Sequence, residues 1–192
     1  MRIPNPFVTP EGKPILVIVK GTDFRQMLEA GLEQMGGLTK LIDSNQDVLI
    51  KPNLNMAEPY PGICNLESIV ETVKAVKEAT SGVVSVGDQG YHSSGTVYSY
   101  LNLGEEVPSA GGVLLNLFET YEVRRDTWPE WKQNFLVYTD VYDSPIIISL
   151  HLLKRHSWAW LTCALKNNVG DSQGSLCDLH QKLSPRLCTQ KH

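Results

Sequence analysis

Short apolar runs alternate with stretches of helical periodicity in the N-terminal half of the chain, and this order constrains the fold more than any other feature. β-Branched residues dominate the runs at residues 15–20, 47–50 and 83–86. Residues 22–36 and 66–79 lie between these runs, and in the second stretch apolar residues recur every three or four positions. Strand, helix, strand, helix, strand is the order of parallel βαβ units.

The rest of the chain continues this pattern. Residues 96–103 are helix-like, and residues 112–117 and 146–150 are strand-like. Between residues 121 and 141, two stretches of alternating polarity flank the polar segment TWPEWKQ, which is typical of a β-hairpin at a sheet edge. We therefore expect one α/β domain over residues 1–192, with a mixed, mostly parallel sheet, flanking helices and a β-hairpin extension.

Composition argues against several classes of function. The chain has 42% hydrophobic residues, enough for one sizeable core, and a formal net charge of −4 without a block of like charge. No basic surface for nucleic acid is therefore indicated. Prolines interrupt the N-terminal sequence MRIPNPFVTPEGKP where an export signal needs an apolar stretch, and the longest apolar runs are too short to cross a bilayer. We expect a cytoplasmic protein without membrane contact.

The cysteines show no pattern of a disulfide framework or of a metal site. None belongs to a CxxC pair, so the sequence predicts neither zinc nor iron–sulfur ligands and favours reduced thiols. The cysteines are Cys64, Cys163, Cys177 and Cys188.

Polar residues follow the first predicted strands, at the carboxyl ends where ligands bind in open parallel sheets. Lys51 and Asn53 come directly after residues 47–50, and a cation with an amide can hold a phosphate or a carboxylate. A solvated loop is the alternative for these two residues. Asp88 follows residues 83–86, where it can orient a hydroxyl, hold a cation or cap a turn. The segment GDQGYHSSG around it matches neither a dinucleotide-binding nor a Walker motif.

The densest polar group follows the strand-like residues 146–150. Lys154 and His156 are two positions apart, so an extended backbone places both on one side, and Lys166 and Asn167 come later in the same region. A helix end whose basic residues contact exposed carbonyls is the alternative. Because these polar side chains lie close to an apolar strand, the sequence favours a cationic site, in which His156 or Lys166 would carry a proton in any reaction.

Three stretches in collinear order resemble the family called domain of unknown function 362: VLIKPNLN, VSVGDQG with SSGTVYSYLNLG, and SPIIISLHLLKRH with LTCALKNNVG. The resemblance covers about residues 13–180. Family members continue beyond the histidine that His180 resembles, so we expect a C-terminally shortened chain with an irregular tail at residues 181–192. Carried over position by position, the resemblance implies the same site, namely Lys51, Asn53, Asp88, Lys154, His156, Lys166 and Asn167.

Three hypotheses of function follow. The first is binding of a small anion, a phosphate or a carboxylate, with lysines as charge partners; the sequence leaves open whether the site catalyses a reaction and names no cofactor. Some family members carry ferredoxin-like segments, which implies an accessory or docking partner of an iron–sulfur electron-transfer protein as an alternative. A similarity to nickel-dependent lactate racemase implies, as a second alternative, a racemase-like enzyme whose metal–nucleotide cofactor is held by Lys166.

Overall fold

The computed structural model describes residues 7–89, 94–117, 124–126, 135–156, 160–168 and 172–173, with the backbone alone for residues 94, 124–126, 135–137, 156, 165 and 172–173. Its elements in chain order are α1 (Phe24–Met35), a 3-10 helix (Leu38–Lys40), β1 (Val48–Pro52), α2 (Leu66–Ala79), β2 (Val84–Val86), α3 (Ser94–Tyr100), α4 (Leu103–Ser109), β3 (Val113–Leu114), β4 (Arg124–Asp126), β5 (Phe135–Val137), α5 (Thr139–Tyr142), β6 (Ile146–Leu150), β7 (Lys154–His156), β8 (Trp160–Thr162), α6 (Ala164–Asn167) and β9 (Ser172–Gln173).

A four-stranded parallel sheet in the order β3-β2-β1-β6 forms the centre of the fold. The strand order places β1 between β2 and β6, so the carboxyl end of β1 lies in the middle of the sheet edge. The expected α/β architecture with a mostly parallel sheet is therefore confirmed. The expected hairpin is also present as the antiparallel pair β4–β5, but β5 pairs with β9 on its other side. The hairpin thus belongs to a separate three-stranded sheet rather than to an edge of the main sheet.

Helix α2 has the bounds that its apolar periodicity predicts. Asn65 caps the helix, because its side-chain oxygen accepts the backbone N–H of Ser68 at 3.0 Å. Ile69, Val73 and Val76 follow one another at helical spacing and are fully buried in the core that also contains apolar residues of β1 and β2. Burying an aliphatic side chain of this size contributes about 1.5–3 kcal/mol. This packing holds α2 against the sheet and closes the first βαβ unit.

Helix α1 also begins and ends as its capping residues predict. Asp23 accepts the backbone N–H of Gln26 at 2.9 Å, and Gly36 ends the helix in the left-handed conformation with a φ of 87°. Arg25 of α1 pairs with Glu78 of α2 at 2.8 Å, which joins the two helices across their exposed sides. None of the helices within the described residues has both the length and the apolar character needed to span a bilayer.

The prediction of a buried strand at residues 15–20 is wrong. Leu16 and Ile18 are 82% and 85% exposed, and the segment does not join the sheet. Instead the chain folds back on itself: the N–H of Ile15 donates to the carbonyl of Phe7 at 2.9 Å. The sheet forms from β3, β2, β1 and β6 without this segment, so apolar, β-branched composition alone did not place it in a strand.

Strand β1 continues to Pro52, two residues beyond its predicted end at Ile50. On the side of β2 the register ends where Ile50 lies opposite Val86, whereas on the side of β6 it extends until Pro52 lies opposite Leu150. A proline lacks the N–H that a strand with two neighbours needs, so it is tolerated where one neighbour has ended. The extension places Lys51 inside the strand, directly beside the end of β2.

Candidate functional site

A buried ion pair joins the ends of β1 and β2. Lys51 is 0% exposed and Asp88 is 4% exposed, and Lys51 Nζ lies 2.5 Å from Asp88 Oδ1. The other carboxylate oxygen accepts the backbone N–H of Leu54 at 2.7 Å. Burial raises the pKa of the Asp88 carboxyl, and the Lys51 ammonium opposes this increase. Each charge therefore depends on its partner to remain inside the protein.

Hydrogen bonds of Asn167 connect helix α6 to this ion pair. Its carbonyl accepts from Lys51 Nζ at 2.7 Å, and its side-chain Nδ2 donates to the carbonyl of Lys51 at 3.0 Å and to Ser149 Oγ at 3.2 Å. Asn53 Nδ2 lies 3.5 Å from Asn167 Oδ1. Together these hydrogen bonds connect the carboxyl ends of β1 and β6 to α6, so the segment around Asn167 is held over the centre of the sheet edge.

Tyr98 of α3 holds Asp88 from the other side. The backbone N–H of Asp88 donates to the Tyr98 hydroxyl at 3.1 Å, and this hydroxyl lies 2.9 Å from the carbonyl of Leu115, to which it donates. Sequence reasoning missed Tyr98, because a tyrosine within a helical stretch carries no signal of its distant partner. Its contacts orient the backbone that presents the Asp88 carboxylate.

Two further lysines lie around this buried cluster and are partly exposed. Lys154 of β7 donates a hydrogen bond to the carbonyl of Gly62. Lys166 of α6 is half-buried, and burial lowers the pKa of its ammonium, with further lowering by the charges of Lys154 and Lys51 and an opposing effect of Asp88. The charges that act on Lys166 are thus two ammonium groups, those of Lys154 and Lys51, and one carboxylate, that of Asp88.

The side chain of His156 lies outside the described part of the structure. Its backbone ends β7, where it lies opposite Trp160 of β8 in an antiparallel pair. The proposed role of His156 as an acid or base therefore stays a prediction.

Three polar atoms in this region are buried and have no hydrogen-bond partner among the described residues: Asn53 Oδ1, Gln89 Oε1 and Thr162 Oγ1. Asn53 is 4% exposed and Thr162 is 0% exposed. Leaving such a group unsatisfied costs about 1–3 kcal/mol, so native proteins keep few of them. Asn53 adjoins Asn167, and Thr162 ends β8, just before α6.

A cysteine and a histidine form another polar pair at this edge of the sheet. Cys163 Sγ lies 3.2 Å from His151 Nε2, and His151 Nδ1 lies 3.1 Å from the carbonyl oxygen of Ser149. Sequence reasoning assigned no role to these residues. A signal was present, since Ser149 and His151 alternate at the end of a strand and so project to the same side.

The family of the chain follows from comparison with family models. The model described as "Domain of unknown function (DUF362)" matches residues 48–185. The chain belongs to this family. The match begins at the start of β1 and includes every site residue that the resemblance implies, whereas residues 13–47 precede it. Comparison with curated proteins and with solved structures returns no match.

In this DUF362 protein, direct hydrogen bonds link part of the expected site. The linked residues are Lys51, Asn53, Asp88 and Asn167. Lys154 and Lys166 interact electrostatically. Lys166 also interacts with the charges of Lys51 and Asp88, the buried ion pair. Within the described residues, no three His, Cys, Asp or Glu side chains come together as a group able to hold a metal ion.

Proposed function

We propose that this protein binds a small anion, a phosphate or a carboxylate, at the carboxyl edge of the main sheet. The observation that carries the proposal is the balance of charge around Lys166, which interacts with Lys51 and Lys154 but, among the described residues, with Asp88 as the one carboxylate. Three ammonium groups against one carboxylate leave net positive charge in a partly buried region, where screening by water is weak. An anion would neutralise this excess.

In this proposal one group of residues contacts the anion and a second group positions the first. Lys154 and Lys166 are partly exposed, so their ammonium groups contact the anion directly. The Thr162 hydroxyl, which is buried and unpartnered among the described residues, donates to an anion oxygen. A phosphate and a carboxylate both offer several acceptor oxygens, which suits two cations and a hydroxyl.

Lys51, Asp88 and Asn167 position this group rather than contact the anion. Lys51 is paired with Asp88, and the Asn167 amide is engaged with Lys51, Ser149 and Asn53. Their hydrogen bonds hold α6, and with it Lys166, over the sheet edge. Lys51 adds positive potential from within the protein.

Lys166 and His156 are the proton carriers that the sequence favours for a reaction of the bound anion. Because burial and neighbouring cations lower the pKa of Lys166, a larger fraction of its amine is neutral near pH 7 than for an exposed lysine. A neutral amine can accept a proton from a carbon or oxygen acid held by Lys154.

Titration calorimetry with inorganic phosphate and with oxalate tests the proposal. Lys166→Met and Lys154→Met should each weaken binding of at least one of these anions about tenfold or more, since a charge-assisted hydrogen bond contributes about 1.5–3 kcal/mol. Lys74→Met is the matched control, because Lys74 lies on the exposed side of α2 and pairs with Glu71. Absence of binding to both anions, or equal affinity in all variants, would contradict the proposal.

Native mass spectrometry of anaerobically purified protein separates this proposal from the two alternatives. A docking partner of an iron–sulfur protein should co-purify with that protein. A racemase-like enzyme should carry nickel and a covalent adduct on Lys166. A small anion that is lost on denaturation, together with an unmodified Lys166, supports the anion-binding proposal.

A further inference from the structure

A thiol and an imidazole are in contact beside the proposed anion site. Cys163 Sγ lies 3.2 Å from His151 Nε2, and His151 Nδ1 lies 3.1 Å from the carbonyl of Ser149. A carbonyl can only accept, so Nδ1 carries the proton and Nε2 faces the thiol as the acceptor. Catalytic cysteines are activated by this kind of arrangement, in which a base contacts the thiol and a third group orients the base.

Hydrogen bonds connect this Cys163–His151 pair to the anion site. Ser149, whose carbonyl orients His151, accepts through its hydroxyl from Asn167 Nδ2 at 3.2 Å. The backbone N–H of Asn167 donates to the carbonyl of Cys163 at 2.9 Å, which closes the turn of α6. Lys166 comes three residues after Cys163, and both side chains are partly exposed, so a small ligand has access to each of them from solvent.

Cys64 provides a contrast within the same protein. It is 2% exposed, its sulfur accepts the N–H of Asn53 at 3.3 Å, and its thiol donates to the carbonyl of Leu150 at 3.2 Å. Burial raises the pKa of the Cys64 thiol to about 11. A protonated, buried thiol of this kind is chemically inert, whereas a partly exposed thiol next to a base is the reactive kind.

We propose that Cys163 is a nucleophile for the electrophilic carbon of a small anionic ligand, with His151 accepting the thiol proton and Lys166 holding the anionic group. This inference rests on the proposed function and deepens it, because it names the substrate class: a carboxylate or phosphate that also carries a reactive carbon, such as an aldehyde. With an aldehyde, the Cys163 sulfur bonds to the carbonyl carbon and the carbonyl π pair moves to oxygen. His151 returns the thiol proton to that oxygen, and the product is a thiohemiacetal.

Competing alkylation with iodoacetate and iodoacetamide tests this proposal on the full chain. Both reagents form a sulfur–carbon bond while iodide leaves with the electrons of the carbon–iodine bond, but only iodoacetate is anionic. Peptide mapping separates Cys163 from the other cysteines. We expect Cys163 to react roughly tenfold or more faster than Cys64. We also expect its iodoacetate-to-iodoacetamide rate ratio to exceed that of the urea-unfolded chain by about tenfold, because a positive site concentrates anions.

Two variants test the role of His151 as the base and the role of Lys166 in holding the anionic group separately. His151→Gln should slow alkylation of Cys163 by both reagents, whereas Lys166→Met should lower only the preference for iodoacetate, and Lys74→Met should change neither rate. Glyoxylate, an anionic aldehyde, should protect Cys163 from iodoacetamide. Continued protection of Cys64 in each variant shows that the variant is folded.

The outcomes distinguish this inference from the function on which it rests. Slow alkylation of Cys163, or a rate unchanged by His151→Gln, overturns the Cys163–His151 pair as a nucleophile even if phosphate or oxalate binds. Fast alkylation without a preference for iodoacetate overturns the anionic substrate, and failure of both anions to bind in calorimetry then contradicts the proposed function as well.

Discussion

Replacing Lys51 by methionine removes one charge of the buried ion pair while nearly preserving the volume of the side chain. Lys51 is 0% exposed and lies 2.5 Å from an Asp88 that is 4% exposed. In Lys51→Met the carboxylate keeps the N–H of Leu54 but loses its counter-ion. Breaking one half of a buried pair costs about 3–5 kcal/mol. This is a large part of the roughly 5–15 kcal/mol by which domains are stable.

The loss of stability should depend on pH with a definite sign. Burial already raises the pKa of Asp88, and removal of the opposing ammonium raises this pKa further. The folded variant then binds a proton that the unfolded chain releases, so its stability is greatest below the unfolded pKa and decreases as the pH rises from there through the folded pKa. Because this window lies above the ordinary carboxyl pKa of about 3.9, the difference from the wild type should be smaller at pH 5 than at pH 8.

Urea denaturation followed by tryptophan fluorescence at both pH values measures this effect. Lys74→Met, which removes a partly exposed lysine from its pair with Glu71, should change the free energy of unfolding by less than about 1 kcal/mol. The double variant Lys51→Met/Asp88→Leu should be more stable than Lys51→Met, because it buries no unpaired charge. A loss below about 1 kcal/mol in Lys51→Met, or a loss that grows as the pH falls, would refute the reasoning.

Two further predictions concern the anion site and the core. Burial and Lys154 lower the pKa of Lys166, so affinity for oxalate should decrease as the pH rises through that lowered pKa. Lys166→Met should remove this pH dependence. Calorimetry that finds the same pH profile of affinity in the wild type and in Lys166→Met would contradict this prediction. In urea denaturation, Ile69→Ala should cost about 2–5 kcal/mol because Ile69 is 0% exposed. Ile18→Ala, at a position 85% exposed, should change stability by less than about 0.5 kcal/mol, and similar losses for the two would contradict the described burial.

Local features of the chain could be interpreted without the structure. The bounds of α2 follow from apolar residues at helical spacing, and the end of α1 follows from Gly36. The order of strands and helices predicts a parallel sheet, because consecutive βαβ units cross over with one handedness. These conclusions depend on interactions between residues a few positions apart, which the sequence displays directly.

Pairing between distant segments could not be predicted in the same way. The apolar residues 15–20 have the composition of a strand, yet Leu16 and Ile18 are exposed and the segment lies outside the sheet. The hairpin β4–β5 carries its own signal, but its pairing with β9 does not. Local pattern indicates the tendency to form a strand, whereas the choice of neighbour depends on how the whole chain closes.

In the candidate site, too, local pattern indicates which residues lie near strand ends but not which side chains contact one another. From their places after or near apolar strands, Lys51, Asp88 and Asn167 could be assigned to the carboxyl edge of a parallel sheet without coordinates. The contact of Lys51 with Asp88 inside the protein, and that of Cys163 with His151, became visible in the folded chain. Such contacts depend on strand register and on the position of α6, and these are set by packing between residues far apart in the chain rather than by any local pattern.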